Sequence, residues 1–499
     1  MGHALQIFRK DVRHLWPRIA IVLAVCFLSA WATYWPVAGA WTTRNILGLP
    51  SLLAWWYLMA AVIHEEALPG NRQYWLTRPF SRWDLLAAKA IFVLVFVCLP
   101  DFCTEVTVLV LRGKSPLGYL PDLLICQLFG LAKVFLPAAA LASITTGLVE
   151  FAWTGLAALA GAWIIGIPLA FRFLPQSELF WGGGLDWFRA TAVAALLSAA
   201  SAAILLVQYV RRQTWLSRGI LAAALPISVF LTWMPGWHTA FALQCRLSGQ
   251  PVADTVASIA FDPARDTRTR PDGKVMRPGQ SVHGIAIPVR VTGIPEGMAL
   301  CSERATVTAD APAHARWSSG WDSLNSLWLG RGQAGMETER FLPGDGEYWL
   351  YLNIHSSFYG RAGSRPLHLH ARLALTLLSP EQVSPLTLRE GAQAANDGFC
   401  WITARNGQVE SSCSWPVRTP ARLGLRLRSG GTNLPLTSWG GELVGSYGPY
   451  PTSGGLWQWA YRNGSMNPPP AGIELVTRRA VAHFERELDI PALGNWIIQ

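Results

Sequence analysis

The chain has 499 residues, of which 51% are hydrophobic and 14% charged, and a net charge of +10. Soluble domains carry about 25% charged residues, so the composition excludes an ordinary soluble protein. The basic residues gather beside apolar runs and form no stripe with interleaved aromatics, which excludes a nucleic-acid reading of the positive charge.

Two regimes share the chain. Residues 1–237 hold nearly all the long uncharged runs, whereas 238–499 read as globular sequence rich in Gly, Pro, Arg and Ser. A membrane part followed by a soluble part is expected. At the start, Leu5, Phe8, Val12 and Leu15 recur at helical spacing with Arg9, Lys10 and Arg13 on other faces. That pattern predicts a short amphipathic interface helix over 1–15.

Seven spans of the ~20 residues that cross the hydrocarbon core are read at about 16–36, 47–64, 86–110, 120–147, 152–173, 189–209 and 219–237. Ala38-Gly39-Ala40 resembles a leader cleavage site, but the apolar run before it is longer than a signal core and is expected to be retained. Arg9, Lys10, Arg13 and Arg18 precede the first span. Arg72, Arg78 and Arg82 follow the second, and Arg211, Arg212 and Arg218 lie between the sixth and seventh. An alternating path places these clusters on one face, the cytoplasm, and delivers residue 238 onward to the opposite side.

Between the second and third spans lies a polar stretch, residues 64–89, broken by Pro69, Gly70 and Pro79. Charges of both signs between two spans suggest a docking surface. Inside the spans, Lys133 in the fourth and Asp101 and Glu105 in the third are costly facing lipid. An intramembrane charge pair among Asp101, Glu105 and Lys133 is expected.

The stretch 64–89 resembles the segment after the second helix of ABC-2-type transporter permeases. An acidic residue, a glycine, an apolar patch, a proline and Ser-Arg before a lysine are matched by Glu65 or Glu66, Gly70, Trp75 with Leu76, Pro79, Ser81-Arg82 and Lys89. The resemblance covers roughly residues 1–215. It implies that Glu65, Glu66, Gly70, Trp75, Pro79 and Arg82 form a coupling surface for a separate ABC ATPase subunit. It further implies that the permease pairs with itself or a homologue to export a substrate. The chain departs from that family in having a seventh span and a large domain after it. It also lacks a Gly-x-x-x-x-Gly-Lys-Ser/Thr phosphate loop, so it is read as no enzyme itself and as needing no cofactor.

Residues 238–499 read as β-structure. Ile285, Ile287, Val289 and Val291 alternate with other residues, as do Leu350, Leu352 and Ile354, the run Leu367 to Leu377, and Leu423, Leu425 and Leu427. A Pro/Gln/Ala-rich break at 380–396 divides two sandwich-like domains, 238–382 and 383–499. Residues 473–490 fit strand or helix. Asn406-Gly407 is a two-residue hairpin signal. Pairing outward from it brings Cys400 opposite Cys413 as a non-hydrogen-bonded pair, whose Cα atoms approach to about 4.5 Å. A Cys400–Cys413 disulfide is predicted, leaving Cys245–Cys301 as the second bridge and an oxidising compartment as its setting.

His368 and His370 share a strand face but have no evident third ligand, so no metal site is read. No nucleophile–base constellation, Gly-x-Ser-x-Gly or His-Glu-x-x-His motif is present. The expected fold is a polytopic α-helical membrane domain, a six-helix ABC-2-like bundle plus a seventh helix, followed by an all-β extracytoplasmic region. The setting is the cell (inner) membrane. The competing reading is a membrane-anchored binding or assembly protein without transport activity.

Overall fold

The computed structural model describes residues 2–34, 40–66, 81–111, 113–173, 186–232, 237–247, 256–265, 268–269, 282–311, 315–321, 327–330, 341–355, 358, 361–362, 366–387, 389, 391–395, 398–405, 408–414, 422–429, 432–435, 456–462 and 472–493. Ten helices are described in the first half: α1 (Gly2–Tyr34), α2 (Ala40–His64), α3 (Arg82–Val93), α4 (Leu99–Leu111), α5 (Leu120–Gly130), α6 (Leu136–Ser143), α7 (Leu148–Phe173), α8 (Asp186–Leu206), α9 (Thr214–Leu231) and α10 (Trp237–Leu247).

Six helical stretches are long and apolar enough to cross a membrane. They are His3–Ser29, Arg82–Leu111, Pro116–Ser143, Leu148–Leu169, Phe188–Arg211 and Thr214–Leu231. Pro50–His64 in α2 is a shorter apolar helix. The chain is thus a membrane-embedded helical part followed by a β-rich part.

The expected interface helix over 1–15 is not a separate element. It continues through Pro17 into the first span as the single α1. The reason is one unbroken buried stripe, Ala4, Ile7, Asp11, Leu15, Ile19, Val22 and Cys26, whose three- and four-residue steps follow one face of a helix.

Two of the long helices widen midway. A π-helical turn at Leu94–Cys98 joins α3 to α4, and another at Leu131–Phe135 joins α5 to α6. Each precedes a proline, Pro100 or Pro137, which has no N–H to offer and crowds the carbonyl four residues back. The wider turn relieves that conflict: Leu99 and Leu136 donate to the carbonyls of Leu94 and Leu131, five residues earlier. The bundle core joins Leu15 and Ile19 of α1, Leu58 to Ile63 of α2, Phe92 of α3, Ala138 to Ala142 of α6, Phe151 of α7 and Ile204 of α8. At the α7–α9 crossing, a Cβ added to Gly166 would fall 2.5 Å from Val229 Cβ.

The second half is strands: β1 (Ser258–Phe261), β2 (Arg268–Thr269), β3 (Val282–Thr292), β4 (Ala299–Ala311), β5 (Ala315–Ser318), β6 (Leu327–Gly330), β7 (Phe341–Leu342), β8 (Gly346–His355) and β9 (Leu367–Leu378). They continue as β10 (Gln382–Leu386), β11 (Gly391–Ala395), β12 (Gly398–Arg405), β13 (Gln408–Ser414), β14 (Arg422–Ser429), β15 (Thr432–Pro435), β16 (Leu456–Arg462), β17 (Gly472–Arg478) and β18 (Ala480–Leu493).

Four antiparallel sheets are described, ordered β1-β3-β8-β6, β18-β9-β4-β5, β10-β17-β14-β15 and β11-β12-β13-β16, with β2 added to β3 and β7 to β4. One apolar cluster is shared by the first two. It takes Ile285, Ile287, Val289, Leu350 and Leu352 from one sheet and Val307, Leu369, Leu373, Phe484 and Leu488 from the other.

The expected boundary near 382 needs two corrections. Residues 382–386 and 391–395, read as a break, are strands, and both lie at sheet edges, where Pro385 is tolerated. The ambiguous stretch 473–490 is β17 and β18, and β18 returns to pair with β9. Residues 480–493 therefore belong with the first β-unit rather than with 383–499. Buried Arg478, at the turn between β17 and β18, fastens this return. It donates to the carbonyls of Gly297 at 3.0 Å and Ser379 at 2.8 Å, and it pairs with Glu381 at 2.9 Å.

Asn406 and Gly407 lie outside the described residues, but the register around them is the expected one. Arg405 faces Gln408 and Cys400 faces Cys413, and the two cysteines are joined in a disulfide with Cα atoms 4.0 Å apart. The second expected bridge is not formed. Cys245 and Cys301 both remain thiols, because each is built into a different apolar cluster. Cys245 packs with Ala240, Phe241 and Ala374, and Cys301 with Ala299 and Leu378.

Candidate functional site

Of the polar stretch 64–89, residues 67–80 lie outside the described residues, and with them Gly70, Trp75 and Pro79. Its two ends are described, and both are held. At the incoming end, α2 closes at His64 and turns through Glu65 and Glu66. At the outgoing end, Ser81 caps α3: its hydroxyl oxygen accepts from the Asp84 N–H at 3.0 Å and donates to the Asp84 carboxylate at 2.7 Å. The serine is thus a side-chain N-cap that satisfies one free backbone donor of the first turn, with the acid three residues on holding its hydroxyl in place.

Two turns into α3, Lys89 is buried and meets α1. Its Nζ donates to Asp11 Oδ2 at 2.8 Å and also to Glu66. The side chains are 4% exposed for Lys89 and 0% for Asp11. Lys10 donates to the other Glu66 oxygen and lies 3.5 Å from Asp11 Oδ1. His14 Nε2 stands 3.3 Å from Glu65. Two cations and two anions thus interlock the start of α1, the end of α2 and the first turns of α3. Desolvation opposes a charged Glu66, but the charges and hydrogen bonds of Lys89 and Lys10 outweigh it and hold the carboxyl below its usual value.

Below this quartet, Ile7 of α1, Leu85 and Ala88 of α3 and Tyr209 form a small buried cluster. Tyr209 lies in a third π-helical turn, Val207–Arg211, at the end of α8. Arg82 donates to the carbonyl of Val210, so α8 is tied to the outgoing end as well. Arg212 closes α8 in the left-handed region, φ +57°. A residue with a Cβ pays roughly 1–2 kcal/mol there.

The same end of the bundle holds a second polar array around the α6–α7 turn. His64 Nε2 lies 3.1 Å from both the Ala142 carbonyl and Thr145 Oγ1; a carbonyl only accepts, so this nitrogen carries the proton. Gln208 donates to the Ser143 carbonyl at 3.0 Å. Arg218 donates to the Ile144 carbonyl at 3.2 Å and to Glu150 at 2.8 Å. Side chains from three other helical elements, α2, the end of α8 and α9, therefore converge on the α6–α7 turn.

The expected intramembrane pair is corrected. Gln127, not Lys133, meets the two acids, donating to Asp101 at 2.9 Å and reaching Glu105 at 3.4 Å. Lys133 lies six residues further along, roughly 9 Å down the helix axis, and its Nζ stands 5.0 Å from the Phe129 ring centroid. The two are at different depths.

A third polar feature joins the halves. α10 lies on the β9–β18 face, with Phe241 packed on Ala374. Gln244 Nε2 meets His483 Nε2 at 2.8 Å, His483 Nδ1 meets Thr376 Oγ1 at 2.8 Å, and Thr376 donates to Glu303 at 2.7 Å. The Thr376 proton goes to Glu303, so His483 donates from Nδ1 and accepts at Nε2, which makes it neutral. Burial lowers its pKa to about 4. Glu303 occupies the extra position of a β-bulge between Ser302 and Arg304, and the bulge turns its carboxylate onto this chain.

The sequence reading missed Asp11, the deepest member of the quartet, together with Tyr209 and Gln208. A signal for Asp11 exists: it is the lone charge at a stripe position between Ile7 and Leu15, and a charge on a buried stripe demands a partner. Among the described residues, no group of three or more His, Cys, Asp or Glu side chains is placed to hold a metal ion. No protein-family model matches the chain, and no curated protein matches it in sequence.

Proposed function

We propose that the chain is the permease subunit of an ABC-type exporter, driven by a separate ATPase that docks on residues 64–89. The observation that carries this reading is the grip on that segment. Glu66 at its start and Lys89 at its end are joined to each other, and Lys89 also holds Asp11 of α1, so a force applied at either end is delivered to the bundle. The resemblance of Glu65, Glu66, Gly70, Trp75, Pro79 and Arg82 to the ABC-2 coupling segment supports it. So do the basic residues Arg9, Arg13, Arg82, Arg211 and Arg218, whose clustering fits a cytoplasmic setting for that end under the positive-inside rule.

On this reading the membrane is the cell (inner) membrane and two permease units pair, as a homodimer or heterodimer. The β-region lies outside the cytoplasm, its first two sheets facing each other as a sandwich over their common core, and serves substrate or partner interaction.

The test is purification in mild detergent. An ATPase subunit should be retained, and Arg82→Glu or Gly70→Asp should release it while the permease stays folded. A wild-type chain that never retains an ATPase overturns the proposal. That outcome supports the second reading, a membrane-anchored binding or assembly protein. The observation behind the second reading is the α10 junction, where Phe241 and Gln244 fix the β-region directly to the last helix.

A further inference from the structure

The spans that begin at α3 and at α9 start alike. Each places a tryptophan at its second position, Trp83 at 62% exposed and Trp215 at 88%. An exposed indole in the first turn of a span belongs at the headgroup level of the bilayer, its ring half buried and its N–H hydrated. Each also follows arginine. Arg82 stands directly before Trp83, and Arg211 and Arg212 stand just before the first turn that carries Trp215. The indoles therefore set the depth of these three arginines among the headgroups rather than in open water.

The fold also brings the arginines together. Ile7, Leu85, Ala88 and Tyr209 pack the first turns of α3 against the end of α8, and Arg82 crosses that contact to donate to the carbonyl of Val210. Arg211 and Arg212 follow at once. Arg82 and Arg211 are exposed, and Arg212 is partly so. Burial, and then the charge of Arg82, push the Arg212 guanidinium below its ordinary value. Like charges held this close repel, and a bound anion relieves the repulsion. Two carboxylates of neighbouring turns are engaged in other contacts: Asp84 accepts from Ser81, and Glu150 from Arg218 and Thr146.

Further along the same three spans, Leu94, Leu206 and Ile227 are exposed apolar side chains. An anion that carries acyl chains meets both features, the charge at the level of the indoles and the apolar surface beyond it. Inorganic phosphate, or an acidic protein surface, meets the charge alone. Basic pockets between spans hold anionic lipid headgroups by this combination.

We propose that Arg82, Arg211 and Arg212, flanked by Trp83 and Trp215, bind the headgroup of an anionic phospholipid where the start of α3 meets the α8–α9 turn. The guanidinium forks match the oxygens of a phosphate, and the indoles flank it at the same depth. The bound lipid offsets the repulsion among the arginines and fastens α3 to the end of α8. The site needs only that these helices lie in a bilayer, so it stands apart from the transport reading.

The test uses the full chain in mild detergent, titrated with phosphatidylglycerol and separately with phosphatidylcholine while lipid adducts are counted by native mass spectrometry. The first phosphatidylglycerol should bind at least about tenfold more tightly than phosphatidylcholine. Arg211→Gln should weaken it by about fivefold, and Arg211→Gln with Arg212→Gln by roughly thirtyfold. Lys114→Gln with Arg172→Gln removes the same charge from the opposite ends of the spans and should leave the preference unchanged. Melting curves in phosphatidylcholine verify that each variant is folded, and Arg211→Gln alone, at an exposed position, carries the test if the double variant is not. Arg82 stays intact throughout, so failure of ATPase docking and failure of lipid binding are read separately. Equal binding of the two lipids overturns the proposal. So does a preference that survives loss of Arg211 and Arg212, one that falls equally in the control, or displacement of the lipid by inorganic phosphate.

Discussion

Lys89 Nζ and Asp11 Oδ2 stand 2.8 Å apart with both side chains withdrawn from solvent, joining two helices that are separated in sequence by the whole of α2 and the polar stretch. A buried pair adds little net stability over an apolar one, but removing one member unbalances the buried quartet and leaves its remaining charges only partly compensated, at a cost of up to about 3–5 kcal/mol. Lys89→Met or Asp11→Leu alone should lower thermal stability in detergent by that order. The double variant should recover most of the loss, because Lys10 and Glu66 remain as a balanced pair. Equal, additive losses in a double-mutant cycle would show that the two do not interact.

Glu66 gives the same site a pH signature. Its folded-state carboxyl titrates below the usual value of 4.5, so the native state binds fewer protons than the unfolded one. The resulting stability is present above pH 4.5 and is lost as pH falls through the lower folded value. Melting curves between pH 6 and 3 should show this decline in the wild type and a flatter course in Glu66→Gln.

His483 acts in a higher window. Its folded value of about 4 lies below the 6.5 of the free side chain, so unfolding takes up a proton. Stability from this group is complete above 6.5 and falls by up to about 3 kcal/mol on reaching pH 4. His483→Gln should remove the dependence between pH 6.5 and 4 without altering the lower Glu66 transition.

The intramembrane acids separate two readings of Lys133. Gln127→Leu removes the donor held by Asp101 and Glu105 and should cost about 1–3 kcal/mol. Lys133→Met should cost under about 1 kcal/mol, since only a cation–π contact with Phe129 is lost. A larger loss from Lys133 than from Gln127 would restore the pairing that the geometry denies.

The cysteines make a direct chemical test. Peptide mapping without reductant should recover Cys400 joined to Cys413 and no Cys245–Cys301 peptide. Cys301, 2% exposed, should react with a maleimide only after denaturation.

What the sequence disclosed were features whose cause is local. Apolar length predicted six of the seven expected spans, the second being the shorter apolar helix Pro50–His64, while period-two alternation predicted β3, β8 and β9, and Asn406-Gly407 predicted the β12–β13 register down to the cysteine pair. What escaped it depends on partners far along the chain. Nothing near Asp11 announces Lys89, and nothing in β18 announces β9 rather than β17, because antiparallel pairing follows from the finished core. The continuity of α1 was obscured by its charges, since Arg9, Lys10 and Arg13 read as a boundary while the stripe beneath them ran on. Lys133 was misassigned because a depth was judged from residue number without the six-residue offset from Gln127.

The path of β18 also governs when this protein can fold. β9 ends at Leu378 and waits for a neighbour that begins at Ala480, about a hundred residues later. At roughly 5–20 residues per second, the ribosome takes on the order of 5–20 seconds to supply it. Through that interval one flank of β9 has unsatisfied amides and carbonyls beside a row of leucines, the condition under which strands pair with the wrong chain. A factor that shields β9 during synthesis, or a membrane passage slow enough to hold it extended, would therefore govern yield more strongly than any single contact in the finished structure.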